Sequence, residues 1–518
     1  MKKIIIGSRG SELALWQAAF VQNELLRIGI SSEIEIIKTK GDQVQNLSFD
    51  KMEGKGFFTK EIEEALLAKK IDLAVHSHKD LETSETNGLT IAAVSYRESP
   101  NDILIIRKEA IDIREKFSLK KNAVVGTSSA RRKSQLKHFR SDVQLKDLRG
   151  NVPTRIKKLE EGKFDAILLA RAGVDRLNID LSQFHVEILD ERIFVPAPAQ
   201  GVMALQVRKE DNELIHALEK INHAEVKTCI DTERKLLNLF EGGCQLPLGA
   251  ICKNENGRYL FWAAAAGDIH SPIKRIYLES ETTGGLPQKA KKILDTINKS
   301  RIFISRSEKQ SEYFFRTLKQ CGYSVSGSSM TKYEKVLFKG FPECEWIFFS
   351  SKNCVKYFFE QHPEIPPKVK IGSIGGATAE ALKQRGIMPD YTGQSNDTAE
   401  IGKEFAGLAG NAKILFPQST ASYRTVQKQF PSQKNLIDMV VYDTIENEKA
   451  KIPDADVVVL TSPTNAMIYL RKKPAQPDQL FIAIGKSTAE VLHQSGIKNV
   501  IIPWNTSEIA LADAVMSV

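Results

Sequence analysis

The fold class is decided by residues 3–29, which read KIIIGSRGSELALWQAAFVQNELLRIG. A β-branched run, Ile4–Ile6, ends at a polar turn and is followed by apolar residues at helical spacing. Ser11 can cap the start of this helix, and Gly29 can end it. The stretch therefore predicts a strand, a polar turn and a helix, which is the repeating unit of α/β folds.

The same alternation continues through the first half of the chain. Strand patterns lie at 72–76, 123–126 and 165–170, and a further helical pattern lies at 128–138. Beyond residue 219 the pattern changes to one helix, 225–240, followed by two strands, 259–264 and 274–281. We therefore predict α/β lobes followed by a small α+β domain.

The main domain boundary is predicted near residue 300, because residues 282–300 carry Gly-Gly, Pro and several lysines and precede a new strand, 301–305. An internal repeat follows it. Residues 346–359 (WIFFSSKNCVKYFF) match 457–470 (VVVLTSPTNAMIYL), and IGGATAEAL is repeated as IGKSTAEVL. The repeat predicts two similar doubly wound α/β lobes, each with strand–turn–helix units that can receive an anion.

The composition favours small anionic partners. Lys and Arg number 73 against 64 Asp and Glu, and the basic residues stand singly or in pairs beside Gly, Ser and Thr rather than in long runs. We therefore expect neither a nucleic-acid nor a membrane partner. The apolar run after Met1 is too short for a signal peptide, so we expect a cytoplasmic protein. The six cysteines form no C-x-x-C pair, which indicates reduced thiols.

Several basic residues stand at strand ends or helix starts, where their side chains can bind carboxylates. They are Arg9, Lys55, Lys79, Arg131, Arg132, Arg149 and Arg155. The alternative for each is a solvated basic surface. His76 and His78 lack a third ligand at a suitable spacing, so we predict no metal site.

Two further residues are candidates for chemistry. Asp80 follows a predicted strand and can donate a proton or stabilise a cation, although a salt bridge to Lys79 or a helix cap is the alternative. Cys244 lies in EGGCQLPLG, where paired glycines permit an exposed turn and a reactive thiol. Its alternative is an incidental loop cysteine.

The first half closely resembles the hydroxymethylbilane synthase family, also called porphobilinogen deaminase. The resemblance rests on ordered segments from Ile4 to about residue 285, namely SRGSELALWQ (8–17), GKGFFTKEIEEALL (54–67), AVHSHKD (74–80), VGTSSARR (125–132), LRGNVPTRIKKL (148–159), DAILLARAGVDRL (165–177), PAPAQG (196–201) and EGGCQLPLGA (241–250). It implies two periplasmic-binding-like α/β lobes plus the small domain. This sequence departs from the family pattern at Glu12, His78 and Ala199.

The resemblance also implies chemistry. Cys244 would carry a covalent dipyrromethane cofactor through a thioether, and porphobilinogen units would add to it with loss of ammonia. Asp80, with Lys79, would assist departure of the amine and stabilise the azafulvene cation. The residues implied to hold the cofactor are Cys244, Lys79, Asp80, Thr127, Ser128, Ser129, Arg131, Arg132 and Gly150. Those implied to bind substrate are Arg9, Ser11, Lys51, Lys55, Phe58, Ser77, Arg149, Arg155, Arg176 and Gln200.

Residues 301–518 resemble the uroporphyrinogen-III synthase family, through ISRSEKQSEYF (304–314), FSSKN (349–353), VVYDT (440–444) and LTSPTN (460–465) besides the internal repeat. This family needs no cofactor. The resemblance implies Tyr442 as a catalytic candidate and Ser351, Ser462 and Thr488 as substrate contacts. The alternatives are a noncatalytic ligand-binding module here and an anion-binding protein for the first half.

The two resemblances divide the chain into a first enzyme at 1–299 and a second at 300–518. The expected parts are lobe 1 at about 1–97 and 200–218, lobe 2 at about 98–199, the cofactor-bearing domain at about 219–298, lobe A at about 300–334 and 443–518, and lobe B at about 335–442. Porphobilinogen and hydroxymethylbilane are the expected small-molecule partners. A monomer is the default expectation.

Overall fold

The computed structural model describes residues 3–39, 59–240, 246–395 and 397–518. The chain divides into two compact units. The first comprises Met1–Asp112 and Lys116–Thr296, and the second comprises Ile113–Glu115 and Ile297–Val518. Within the described residues, no helix is long and apolar enough to cross a membrane.

The first unit alternates strands and helices as predicted. Its strands are β1 (Ile4–Ser8), β2 (Ser32–Ile36), β3 (Leu73–Ser77), β4 (Leu89–Val94), β5 (Asp102–Ile106), β6 (Val124–Gly126), β7 (Gln144–Lys146), β8 (Ala166–Ala170), β9 (His185–Ile188), β10 (Met203–Arg208), β11 (Leu248–Glu255), β12 (Arg258–Ala265) and β13 (Lys274–Ser280). Its helices are α1 (Glu12–Arg27), α2 (Lys60–Leu67), α3 (Ala130–Phe139), α4 (Val152–Glu160), α5 (Arg171–Arg176), α6 (Asn212–Leu218), α7 (Ala224–Leu239) and α8 (Leu286–Asp295). The predicted α/β class is confirmed for this unit.

The opening strand–turn–helix has the predicted form. The Ser11 hydroxyl accepts a hydrogen bond from the backbone N–H of Ala14 at 3.4 Å, so it caps α1. Gly29 follows the helix with φ +81°, a conformation that favours glycine. The buried side chains of Val21 and Leu25 pack in the core of the first sheet, which holds the helix against the strands.

Two sheets build the two lobes of the first unit. The first has the order β2-β1-β3-β10-β4, and the second has the order β7-β6-β8-β5-β9. The chain leaves the first sheet after β4, forms the second sheet, and returns at β10, which pairs antiparallel with β3 and β4. Two connecting segments therefore join the lobes, so the two-lobed arrangement that the resemblance implies is present. Strands β11, β12 and β13 form a separate antiparallel sheet.

The second unit is also α/β. Its strands are β14 (Arg301–Ile304), β15 (Ser324–Gly327), β16 (Thr331–Lys335), β17 (Trp346–Phe349), β18 (Lys370–Ser373), β19 (Tyr391–Thr392), β20 (Ile414–Ser419), β21 (Leu436–Glu446), β22 (Val457–Leu460), β23 (Leu480–Ala483) and β24 (Val500–Ile501). Its helices are α9 (Glu312–Gln320), α10 (Lys352–Phe359), α11 (Gly376–Lys383), α12 (Thr398–Ala409), α13 (Pro463–Lys472), α14 (Lys486–Gln494) and α15 (Glu508–Met516).

The internal repeat of the second unit corresponds to two sheets. Their orders are β15-β14-β22-β23-β24 and β16-β21-β20-β17-β18-β19. The repeated segments form equivalent elements, β17 with α10 in one lobe and β22 with α13 in the other. Ser351 caps α10 and Ser462 caps α13. The predicted pair of doubly wound lobes is confirmed.

Candidate functional site

The end of β3 carries the first group of predicted site residues. His78–Asp80 form a short 3-10 helix directly after the strand. Asp80 is exposed, and within the described residues its carboxylate makes no ion pair or hydrogen bond. The alternative of a salt bridge to Lys79 is therefore absent here. An exposed carboxylate at a strand end is available to a ligand.

Lys79 is half-buried beside Asp80. Its ammonium donates a hydrogen bond to the side-chain oxygen of Gln200 at 3.4 Å. Burial lowers the pKa of Lys79 to about 8, against the attraction of Asp80. This lysine therefore loses its charge at a lower pH than an ordinary lysine.

Asp102 links several of the predicted residues into one network. Its carboxylate is fully buried and accepts hydrogen bonds from Arg131 at 2.6 Å and from Arg132 at 2.7 Å. The Gln200 amide donates to the same carboxylate at 3.1 Å, so the network reaches Lys79. Burial raises the pKa of Asp102, but the two guanidinium groups outweigh it and hold that pKa well below its usual range.

The predicted residues at the starts of α3 and α4 have structural partners as well. Ser129 caps α3, and the Ser128 hydroxyl donates to the carbonyl of Leu148 at 2.9 Å. Thr127 is buried, and its hydroxyl accepts from the N–H of Ser129 at 3.3 Å. These bonds order the loop that leads into α3.

Gly150 and Arg155 lie together at the start of α4. Gly150 has φ +111°, and a Cβ there would come within 2.7 Å of Thr154, so glycine is required. The Arg155 guanidinium donates to the Gly150 carbonyl at 2.7 Å. Burial and the nearby charges of Arg132 and Arg149 lower the pKa of Arg155 to about 10, with Asp80 opposing them. The charge of Asp80 therefore acts on the Arg155 guanidinium.

Other predicted residues lie apart from the Asp102 network. Arg176 donates to the Gly201 carbonyl at 2.9 Å and lies over the ring of Trp16 at 5.6 Å. Ser77 exchanges hydrogen bonds with Gln17. Arg9 is half-buried just after β1. Lys51, Lys55, Phe58 and Cys244 lie outside the described residues.

Glu233 is a second buried carboxylate that the sequence reasoning missed, together with Asp102. It lies on α7 and accepts hydrogen bonds from Arg97 at 2.6 Å and from the backbone N–H groups of Ala199 at 2.7 Å and Cys252 at 2.8 Å. Arg97 and Ala199 lie in the two segments that join the lobes. The helix also carries Glu225 and Asp231, so nothing in the sequence pattern marked Glu233 as the buried carboxylate.

His76, on β3, has a protein partner in the same sheet. His76 Nε2 lies 3.1 Å from the Gln206 side-chain oxygen. Burial lowers the pKa of His76 to about 4, which keeps the imidazole neutral. Throughout the described ranges there is no cluster of three or more His, Cys, Asp or Glu that could hold a metal ion.

In the second unit, Tyr442 and Ser351 lie in one cluster. Tyr442 is buried on β21, stacked on Tyr357 with ring centroids 5.3 Å apart. The Ser351 hydroxyl is 3.1 Å from the Cys354 sulfur. Burial raises the pKa of Tyr442, with Cys354 adding to the rise and Ser351 opposing it. The phenol is therefore neutral and suited to hydrogen bonding.

Ser462 and Thr488 stand at the carboxyl edge of the other sheet. The Ser462 hydroxyl accepts from the N–H of Asn465 at 3.1 Å and caps α13. Thr488 is completely buried in α14, and its hydroxyl has no partner among the described residues. A ligand would reach Thr488 only after a rearrangement, and its role as a substrate contact stays a prediction.

Comparisons with known proteins identify both units. A model described as porphobilinogen deaminase, dipyromethane cofactor binding domain, matches residues 4–216. Porphobilinogen deaminase from Chloroherpeton thalassium is 44% identical over 273 residues, covering 52% of this chain and 84% of that protein. The one from Chlorobium limicola is 41% identical over 317 residues, covering 58% of this chain and 99% of that protein. The chain belongs to the porphobilinogen deaminase family.

The second half of this deaminase chain matches a different family. A model described as uroporphyrinogen-III synthase HemD matches residues 327–513. Uroporphyrinogen-III synthetase from Helicobacter pylori 26695 is 16% identical and covers 42% of this chain and 98% of that chain, with a TM-score of 0.31. The chain is a bifunctional enzyme of tetrapyrrole biosynthesis, with a deaminase unit and a synthase unit.

The deaminase unit uses dipyrromethane as its cofactor, as its family model indicates. The residues present fit this group. Arg131 and Arg132 share the single carboxylate of Asp102, which leaves an excess positive charge in a buried position. Lys79 and Arg155 add further cationic donors, and the acetate and propionate groups of a dipyrromethane are suitable anionic partners. Ala199 has φ +62°, a conformation that favours glycine.

Proposed function

We propose that Asp80 is the catalytic acid and cation stabiliser of the deaminase unit. The observation that carries this proposal is its exposed carboxylate, which has no partner among the described residues and stands beside the partly desolvated ammonium of Lys79. The reaction joins four porphobilinogen molecules into hydroxymethylbilane with release of ammonia. Asp80 assists departure of the amine and balances the positive charge that develops on the pyrrole.

The cationic residues hold the acetate and propionate groups of the lengthening chain. The dipyrromethane cofactor is held by Lys79, Arg131, Arg132, Gly150 and the hydroxyl groups of Thr127, Ser128 and Ser129. The incoming porphobilinogen and the lengthening chain are bound by Arg9, Ser11, Lys51, Lys55, Phe58, Ser77, Arg149, Arg155, Arg176 and Gln200. Arg guanidinium groups suit this task because they bind carboxylates through two parallel hydrogen bonds.

Cys244 is proposed to anchor the primer through a thioether. When bound, dipyrromethane supplies the pyrrole carbon to which the first porphobilinogen is joined. Intact-protein mass spectrometry tests the anchor. We expect an increment of two pyrrole units in the wild-type chain and none in Cys244→Ser. A wild-type chain whose mass shows no added pyrrole units would exclude the primer mechanism.

The role of Asp80 is tested by Asp80→Asn, which keeps the shape and removes the charge. We expect the rate of porphobilinogen consumption to fall by about 10²- to 10⁴-fold, the usual range for a general acid or base. Asp175→Asn is the matched control, since Asp175 is a half-exposed carboxylate paired with Arg171. Equal rates for Asp80→Asn and the control would disprove the assignment.

In the synthase unit, we propose that Tyr442, Ser351 and Ser462 contact hydroxymethylbilane, with Thr488 reached after a rearrangement. This unit closes hydroxymethylbilane with inversion of the last ring to give uroporphyrinogen III. The neutral phenol and the capping hydroxyls support a site that holds its substrate by hydrogen bonds. Incubation of the full chain with porphobilinogen tests it: isomer III is expected, and isomer I alone would mean that the unit is inactive.

We place the first enzyme at 1–299 and the second at 300–518, with the lobe limits that the sequence predicts, in a cytoplasmic monomer. Covalent fusion raises the local concentration of hydroxymethylbilane at the synthase unit, which limits spontaneous closure to the wrong isomer. Adding an excess of separate synthase tests internal transfer. An unchanged isomer III fraction is expected, and an increase would show that hydroxymethylbilane escapes.

A further inference from the structure

Arg306 lies at the carboxyl edge of the first sheet of the synthase unit. It follows β14 by two residues, and the adjacent strand β22 is followed by Thr461 and Ser462. Because β14 and β22 are parallel, both loops emerge at the same edge. The hydroxyls of Ser305 and Thr461 lie 3.0 Å apart, which joins the two loops directly. Arg306 therefore shares its edge with the proposed contact Ser462.

The backbone at Arg306 is held in place. Asn465 donates from its side-chain nitrogen to the Ser305 carbonyl at 3.2 Å and to the Thr461 hydroxyl at 3.0 Å. On the other side, a Cβ on Gly327 would come within 2.3 Å of the Arg306 carbonyl oxygen, so only glycine allows this approach. The guanidinium is thus carried by a backbone that is ordered before any ligand arrives.

The Arg306 side chain is half-buried, and within the described residues its guanidinium makes no hydrogen bond or ion pair. Burial lowers the pKa of Arg306, while Glu508 and Tyr333 oppose that change. Glu508 is itself engaged by the N–H of Tyr313 at 3.2 Å and by Lys352 at 3.3 Å. A partly desolvated charge without a partner is costly in an unliganded protein.

Arg306 also lies within electrostatic range of Tyr333, on the strand β16 that pairs with the Tyr442 strand β21. Tyr333, one of its two electrostatic neighbours, packs edge-on against Tyr442 with ring centroids 5.6 Å apart. Arg301 makes a useful contrast, because it lies at the opposite end of the same strand. It is paired with Asp456 at 2.7 Å. An unpaired arginine beside the proposed site and a paired one at the far end indicate different roles.

We propose that Arg306 is a substrate-binding residue of the synthase unit, and that it pairs with an acetate or propionate carboxylate of hydroxymethylbilane. The inference rests on the synthase activity proposed above. It adds a charged contact to a site otherwise built from hydroxyl groups and a phenol. The carboxylate supplies the partner that the described residues do not give this guanidinium.

The test compares Arg306→Gln with the matched control Arg301→Gln in the full chain. Preformed hydroxymethylbilane is supplied, and KM and kcat for isomer III are measured. We expect Arg306→Gln to raise KM about tenfold or more, the effect of losing a charge-assisted hydrogen bond, with a smaller change in kcat. Arg301→Gln is expected to keep the wild-type KM, and Arg306→Lys to fall between wild type and Arg306→Gln.

Two further measurements separate binding from folding. The thermal stability of Arg306→Gln is expected to equal or exceed that of the wild type, because the variant removes a half-buried charge that has no partner among the described residues. Porphobilinogen consumption by the deaminase unit is an internal control and is expected to remain unchanged. A wild-type KM in Arg306→Gln, or a KM equally raised in Arg301→Gln, overturns the inference alone. Isomer I as the only wild-type product overturns the synthase function and this inference together.

Discussion

The candidate sites of the deaminase and synthase units are built from different side chains. In the deaminase unit, Asp102 is buried with two guanidinium groups and connects through Gln200 to Lys79. In the synthase unit, the corresponding strand ends carry a neutral cluster in which the Ser305 and Thr461 hydroxyls contact each other and Asn465. The first candidate site is organised around ion pairs, and the second around neutral hydrogen bonds with Arg306 beside them.

We infer that this difference reflects the two reactions. The deaminase unit must retain a chain whose negative charge grows with each pyrrole, and a network of fixed cations can serve it at every stage. The synthase unit receives one substrate of constant charge and needs mainly to set its shape. Neutral hydrogen-bonding groups position a substrate without the cost of burying many charges.

The largest expected effect comes from breaking the buried ion network. Asp102→Asn leaves the guanidinium groups of Arg131 and Arg132 without a charged partner, so we expect the first unit to lose about 3–5 kcal/mol of unfolding free energy. Urea denaturation of the full chain measures it, with hydrogen exchange assigning the loss to a unit. Asp456→Asn, which breaks an exposed pair with Arg301, is expected to cost less than about 1 kcal/mol. Equal losses of unfolding free energy in Asp102→Asn and Asp456→Asn would show that the buried ion network contributes no more than the exposed pair.

The next effect concerns pH. Because the pKa of Lys79 is lowered to about 8, its ammonium is present below that pH and is lost above it. We expect kcat/KM for porphobilinogen to fall about tenfold per pH unit above this value. Lys79→Arg keeps its charge and is expected to move the alkaline limb upward by more than one unit.

Lys486→Arg in the synthase unit is the control for this profile, since Asp397 raises the pKa of Lys486. It is expected to leave the deaminase profile unchanged. An alkaline limb that stays in place in Lys79→Arg would mean that another group controls it.

A smaller effect is expected at Tyr442. Tyr442→Phe preserves the stacking on Tyr357 and removes one hydroxyl, so kcat/KM for isomer III should fall by no more than about tenfold. Tyr357→Phe is the matched control and is expected to stay within about twofold of the wild type. Steady-state kinetics with hydroxymethylbilane measures both. A loss of kcat/KM above about a hundredfold would contradict this prediction and would indicate that the Tyr442 hydroxyl transfers a proton in the reaction.

The smallest effect is expected at Ala199. Its φ of +62° is strained for alanine and free for glycine, so Ala199→Gly should stabilise the first unit by about 0.5–1 kcal/mol. Ala197→Gly, at a position without positive φ, is expected to be neutral or slightly destabilising. Thermal unfolding compares the two variants. A stability loss in Ala199→Gly would mean that the methyl contacts outweigh the backbone strain.

Much of the fold was accessible from local sequence patterns. The cap at Ser11, the turn at Gly29 and the repeated strand–turn–helix units depend on residues only a few positions apart, so periodicity and capping rules predict them. The basic residues of the candidate site were also recognisable, because Arg131 and Arg132 stand at a helix start. Their roles as ligand contacts remain predictions.

The partners of those residues required the tertiary structure. Asp102 is 29 residues before Arg131 in the chain, and Gln200 follows Asp102 by 98, so no local pattern joins them. Glu233 and Arg306 were missed for the same reason, since burial and pairing become visible only when distant strands and helices meet.

The amino-acid sequence by itself determined the α/β class, the repeat of the second unit and the family of each half, because these depend on periodicity and ordered motifs. The tertiary structure decided which charges are paired. Arg131 is an ion-paired group, Arg306 has no partner among the described residues, and Lys79 has a pKa of about 8. The physical reason is that the pKa and the pairing of an ionisable group depend on its desolvation and on the charges near it. Both are set by residues far apart in the chain.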